Sequence, residues 1–86
     1  MTKNATRRAK KPAERDLSRQ QFAENLRMHR ERMGLSQEGL AALCNLHRTE
    51  ISLLERSQRS PRLETIVVLA RGLELASAAD LLKGVG

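Results

Sequence analysis

The chain has no tryptophan and no tyrosine, and Phe22 is its one aromatic residue. An interior without large rings has to be filled by Leu, Ile, Val, Met and Ala. These suit short helices better than sheets, where β-branched and aromatic side chains are favoured. The one β-branched cluster, Ile66-Val67-Val68, lies inside a helix-period pattern. Cysteine is equally scarce: Cys44 stands alone, so no intramolecular disulfide can form and a reducing compartment fits. Long apolar runs are missing, which argues against a membrane span. The basic N-terminus is followed by no apolar stretch of the kind a secretory signal needs, so a cytoplasmic location is expected. His29 and His47 are far apart in sequence, and no cluster has metal-ligand spacing, so no metal or other cofactor is expected. A phosphate-binding glycine loop, a credible carboxylate pair and a Ser-His-Asp set are also missing. An enzyme is not expected.

What the chain has in excess is positive charge. Its 86 residues suffice for one small domain. Its 16 basic and 10 acidic side chains leave a net +6. The balance is uneven, because Lys3, Arg7, Arg8, Lys10, Lys11 and Arg15 face only Glu14 and Asp16 in residues 1–16. Such a tail suits a polyanionic partner, nucleic acid first, or else serves only solubility. With Pro12 and no hydrophobic period, residues 1–16 read as a disordered basic arm ahead of a domain over residues 17–86.

The rest of the chain reads as a compact all-α bundle of five helices. Ser18 is a suitable cap for the first, whose inner face would hold Phe22, Leu26, His29 or Arg30, and Met33; Gly34 ends it. Ser36 caps a second helix, Gln37 to Cys44, and Asn45-Leu46-His47 makes a turn into a third, Arg48 to Arg56. After the loop Ser57 to Ser60, Pro61 sits near the start of a fourth helix, Arg62 to Leu73. Ser77 caps a short fifth, through Leu82 or Lys83, closed by Gly84.

The informative stretch runs from Gln37 to Glu55. Leu40, Cys44, Leu46, Ile51 and Leu54 are apolar where two steeply crossing helices meet a core, and Ala41 is small where they approach each other. Asn45 occupies the turn position that needs a positive φ. This is a helix-turn-helix pattern. The sequence here resembles the phage-repressor and Cro-like regulators, the XRE family, through Leu35-Ser36-Gln37-Glu38, Leu46-His47-Arg48-Thr49, Ile51-Ser52, Leu54-Glu55-Arg56 and Ser60-Pro61. The similarity covers about residues 20–83. Asn45 and Ser57 stand where that family most often has Gly, and Leu53 where a polar residue is usual.

The resemblance implies a lambda-repressor-like five-helix fold with the third helix in the major groove of double-stranded DNA. Small stand-alone members include restriction-modification controller proteins, antitoxins and phage regulators. A transcriptional regulator of bacterial or phage type, a repressor or an autoregulating controller, is therefore expected on the nucleoid. An antitoxin or adaptor whose main partner is a protein is the alternative. No ligand-binding domain follows the bundle in this sequence, so no small-molecule ligand is expected.

With Ile51 and Leu54 inward, the opposite face of the third helix shows Arg48, Thr49, Ser52, Leu53 and Arg56. Arg48 can pair with guanine, Thr49 and Ser52 can hydrogen-bond, and Leu53 can touch a thymine methyl. Glu50 can accept from cytosine or bind a neighbouring Arg. In the family the residue at Gln37 bonds a DNA phosphate; an ordinary exposed Gln is the alternative. Arg56 belongs with the phosphate contacts, His47 can cap its helix or touch phosphate, and Arg59, Ser60 and Arg62 would grip the backbone. Arg30 and Glu55 lie where the family places a partly buried ion pair. One short helix reads too few base pairs for a regulator, so a homodimer on a palindrome is expected, with Leu81, Leu82 and Val85 as its interface. Cys44 is expected to be inert packing.

Overall fold

The computed structural model describes residues 14–86. Among them are four α-helices, α1 (Glu14–Arg32), α2 (Gln37–Cys44), α3 (Arg48–Glu55) and α4 (Leu63–Gly72), followed by a 3₁₀ helix, Ala78–Leu82. The architecture is all-helical, but the expected fifth α-helix is this 3₁₀ segment. Five residues are too few for a run of i→i−4 bonds. The segment is instead tied by i→i−3 bonds, Asp80 N–H to the Ser77 carbonyl at 3.1 Å among them, and capped by the Ser77 hydroxyl.

The start of α1 differs as well. Ser18 lies inside the helix rather than capping it, and Glu14 to Asp16, assigned to the arm from sequence, are helical. The acidic group of Asp16 suits the positive end of a helix dipole. The remainder of the expected arm, residues 1–13, lies outside the described residues.

The helices end in a common way. A left-handed residue follows the last turn, and the next amide reaches back five residues. Leu35 N–H bonds Arg30 O at 3.1 Å, Leu46 N–H bonds Ala41 O, Gln58 N–H bonds Leu53 O and Leu75 N–H bonds Ala70 O, the last three at 2.9 Å. The left-handed residues are Gly34 (φ 69°), Asn45 (φ 56°), Ser57 (φ 61°) and Glu74 (φ 56°). Only the first is glycine. In three of the four turns the next residue is leucine, and Leu35, Leu46 and Leu75 all pack against the core. That apolar contact offsets the cost of holding a side chain at positive φ.

Leu26, Leu40, Ile51, Leu54, Leu69 and Leu81 are fully buried at the centre of the core. Phe22 joins them from α1. Met33, expected on the inner face of α1, is 38% exposed because the chain has already turned away at Gly34. His29 is only half-buried; Arg30 takes the inward place, with 12% of its side chain exposed. The buried Asn25 of α1 was not anticipated. Its amide donates to the carbonyls of Leu81 and Lys83, both at 2.9 Å, and holds the 3₁₀ segment down. At the other end of the core α4 packs tightly on α2, since a Cβ at Gly72 would lie 2.5 Å from Cys44 Sγ.

Candidate nucleic-acid interface

Two fully buried residues, Ile51 and Leu54, fix the rotation of α3 about its axis. Everything on its far side follows. Arg48 and Thr49 are exposed, while Glu50, Ser52 and Leu53 are half-buried. The first turn is held by His47, whose Nδ1 accepts from the Thr49 amide at 3.1 Å. Arg56 Nε donates to Ser52 Oγ at 3.2 Å, so these two candidates already touch each other. Glu50 shares a shallow cleft with Leu46, Arg59, Arg62 and Thr65. Its carboxylate therefore stands on the side of the two arginines of the following loop.

Behind α3 lies a compact polar network. Arg30 meets Glu55 in a two-pronged pair, Nε to Oε2 at 2.7 Å and Nη2 to Oε1 at 3.0 Å, and its Nη1 donates to the Leu35 carbonyl at 2.7 Å. The Glu55 side chain is 1% exposed. The bond to Glu55 raises the Arg30 pKa above its ordinary value, against the opposing effect of burial, so the guanidinium stays charged at any working pH. Arg27 adds a more distant cation, Nε to Glu55 Oε1 at 3.8 Å.

Gln37 belongs to the same network, a link the sequence did not reveal. Its Nε2 donates to Glu55 Oε1 at 3.0 Å. An ionised carboxylate only accepts, so Gln37 must turn its nitrogen toward Glu55, which fixes the amide's orientation. One N–H and the carbonyl oxygen of that amide are left to face outward from the first turn of α2. The Ser36 hydroxyl caps that turn by accepting from Gly39 N–H at 2.9 Å.

Arg59, Ser60 and Arg62 are all exposed in the loop before α4. Ser60 has a partner that the sequence gave no reason to expect: Arg19 of α1 donates from Nε to its Oγ at 2.9 Å. Leu81 cannot serve as a dimer contact in this fold. It is 0% exposed, the apolar anchor that docks this five-residue segment together with the Asn25 hydrogen bonds. Leu82, at 38%, remains on the surface, and Val85 is partly buried against the core. Cys44 is buried, and burial raises its thiol pKa, which disfavours the reactive thiolate. Among the described residues no group of three or more His, Cys, Asp or Glu could hold a metal ion, and no helix is long and apolar enough to cross a membrane.

A helix N-terminus at Gln37, a left-handed turn at Asn45 and an outward-facing α3 make a helix-turn-helix in three dimensions. The helix-turn-helix domain family matches residues 21–82. The chain belongs to that family. It is similar to the control protein C.SmaI of Serratia marcescens, 46% identical over 52 residues, 60% of this chain and 62% of that protein. The chain thus spans less than two thirds of that relative's length. A hypothetical transcription factor of Neisseria meningitidis serogroup B is 40% identical over 74 residues, 86% of this chain and 69% of the relative. The crystal structure of the Neisseria factor superposes with a TM-score of 0.72, covering 83% of this chain and 79% of the other. The restriction-modification controller protein C.Esp1396I, crystallised as a tetramer with its natural 35 base-pair operator, is 29% identical with a TM-score of 0.70. That match covers 77% of this chain and 91% of the controller chain.

Proposed function

We propose that this chain is a sequence-specific transcriptional regulator of the controller type, binding a palindromic site in double-stranded DNA as a homodimer with α3 in the major groove. The observation that carries the reading is the outward face of α3. Its first turn exposes Arg48 and Thr49, and at its other end Glu55 holds Gln37 at the N-terminus of α2. Phosphate contacts set the register of a protein on DNA, and base contacts made from that register supply specificity. In this reading Gln37, the Arg59–Arg62 loop and the N-terminal amides of α2 and α4 do the first. Arg48, Thr49 and Ser52 do the second, with Leu53 restricted to apolar contact. The C.Esp1396I operator complex supports the DNA partner and assembly into oligomers.

An adaptor that mainly binds protein is less well supported. The large apolar side chains most exposed among the described residues, Leu17, Met28, Met33, Leu43, Leu63 and Leu82, all lie off α3. The face that reads as working surface is polar and cationic instead.

Selection of binding sites from random duplexes, followed by titration of the chosen site, tests the proposal. Arg48→Ala should weaken the selected site by about 1–3 kcal/mol and relax choice at one base pair. Gln37→Ala should weaken all duplexes alike. Sedimentation of the same complex should find two chains per site. Equal losses for Arg48→Ala on selected and scrambled duplexes would overturn the base-reading role, and one chain per site would overturn the dimer.

A further inference from the structure

The inward stripe of α1 continues past the core. Arg30, Leu26 and Ala23 face the bundle, and the same stripe leads one turn further to Arg19 and another turn to Arg15. Arg30 meets the end of α3 at Glu55. About 16 Å further up the helix axis, at 1.5 Å per residue, Arg19 meets Ser60. Arg15 stands about one turn, some 5–6 Å, beyond it and is exposed. Ser60 lies between Arg59 and Arg62, which share a cleft with Leu46 and Glu50 at the entrance to α3. A ridge of cations therefore runs from the recognition helix across the loop and up α1.

The salt bridges among the described residues all end on Glu55, and none of them involves Arg19, Arg59 or Arg62. Glu50 is the one carboxylate in the cleft with Arg59 and Arg62, so the cations there outnumber it and repel one another, and an anion laid along them lowers that cost. The Arg19–Ser60 bond uses Nε and leaves both terminal nitrogens, the prongs that suit two oxygens of one phosphate.

We propose that Arg19 and Arg15 form a second DNA-backbone contact, gripping phosphates beside the Arg59–Arg62 loop, with Ser60 orienting the Arg19 guanidinium. This rests on the DNA-binding reading above. It extends the footprint from the helix-turn-helix to α1, outside the major groove that α3 would occupy. Arg15, one of the six cations of residues 1–16, lies on helix α1.

The experiment is a salt titration on a long mixed-sequence duplex, where phosphate contacts dominate and no operator is needed. Each lost contact should make the slope of log K against log salt shallower by about 0.9, so Arg15→Ala/Arg19→Ala should flatten it by about 1.8. Arg19→Lys should keep most of the wild-type slope, because it keeps the charge. Ser60→Ala should lower affinity a few-fold and leave the slope in place, since it removes the orienting acceptor and no cation. Arg32→Ala, which removes one charge at the far end of α1 as Arg15→Gln does at the near end, should leave the slope unchanged. Arg15→Gln leaves the Arg19–Ser60 bond in place, and its slope must fall by about 0.9 even if loss of that bond in the double variant loosens the bundle. A wild-type slope in Arg15→Gln, or the same flattening in Arg32→Ala, overturns the second contact. A wild type with no salt-dependent binding at all overturns the DNA-binding reading itself.

Discussion

Two polar side chains of α1, the half-buried Arg30 and the buried Asn25, hold down opposite parts of the molecule in different chemical ways. Arg30 fixes the recognition end with a charged pair to Glu55 and a bond to the Leu35 carbonyl. Asn25 fixes the C-terminal end with a neutral amide that donates to two backbone carbonyls. The charged version costs more desolvation and leaves more behind when broken. It also does something the neutral one does not: Glu55 Oε1, while it accepts from Arg30, accepts a second bond that orients Gln37. The difference matches the proposed function, in which the C-terminal segment has only to stay docked, whereas the helix-turn-helix end would present the Gln37 amide to DNA at a particular angle.

The widest contrast should come from removing each donor in turn. Arg30→Ala strands the Glu55 carboxylate among apolar neighbours, with only Gln37 and the exposed Arg27 nearby. A loss of about 3–5 kcal/mol in urea unfolding is expected. Replacing both partners by similar-sized apolar residues, Arg30→Met/Glu55→Leu, should cost much less while still weakening DNA binding through Gln37. If the double variant binds as tightly as wild type, Glu55 has no orienting role and the two anchors are alike.

Asn25→Ala should cost less, about 1–3 kcal/mol, since it leaves two carbonyls short of a donor but strands no charge. Amide hydrogen exchange should show the loss as faster exchange in the 3₁₀ segment and its flanks, with α2 and α3 still protected. Uniform loss of protection would mean that the C-terminal end is not a separate docking unit.

The smallest effect tests the turns at the two ends. Asn45 and Glu74 hold nearly the same left-handed angle, φ 56° each, but asparagine tolerates it better. Glu74→Gly should therefore stabilise the protein by about 1 kcal/mol, and Asn45→Gly by less. Thermal unfolding of the two variants side by side checks the order.

Much of the recognition end was legible because its demands are local. A cap needs a hydroxyl at Ser36, a left-handed turn favours Asn45, and an amphipathic helix needs Ile51 and Leu54 three apart. The resemblance to a known family placed Arg30 opposite Glu55. Glu74 was not legible by the same rules, since glutamate has no turn preference. The only signal was the leucine after it, shared with Gly34-Leu35 and Asn45-Leu46. The third helix itself ended at Glu55 rather than Arg56, a difference within the fraying of any helix end.

By itself the sequence determined the helical class, the helix-turn-helix and the face that α3 turns outward, because each follows from periodicity and capping within a few residues. Tertiary structure decided what depends on residues distant in the chain. It buried Leu81 rather than leaving it for a partner, brought Asn25 to Leu81 and Lys83, joined Gln37 to Glu55 and set Arg19 beside Ser60. No local propensity encodes such meetings. They arise when the apolar faces of four short helices close on one core, and the polar groups carried along must find partners there.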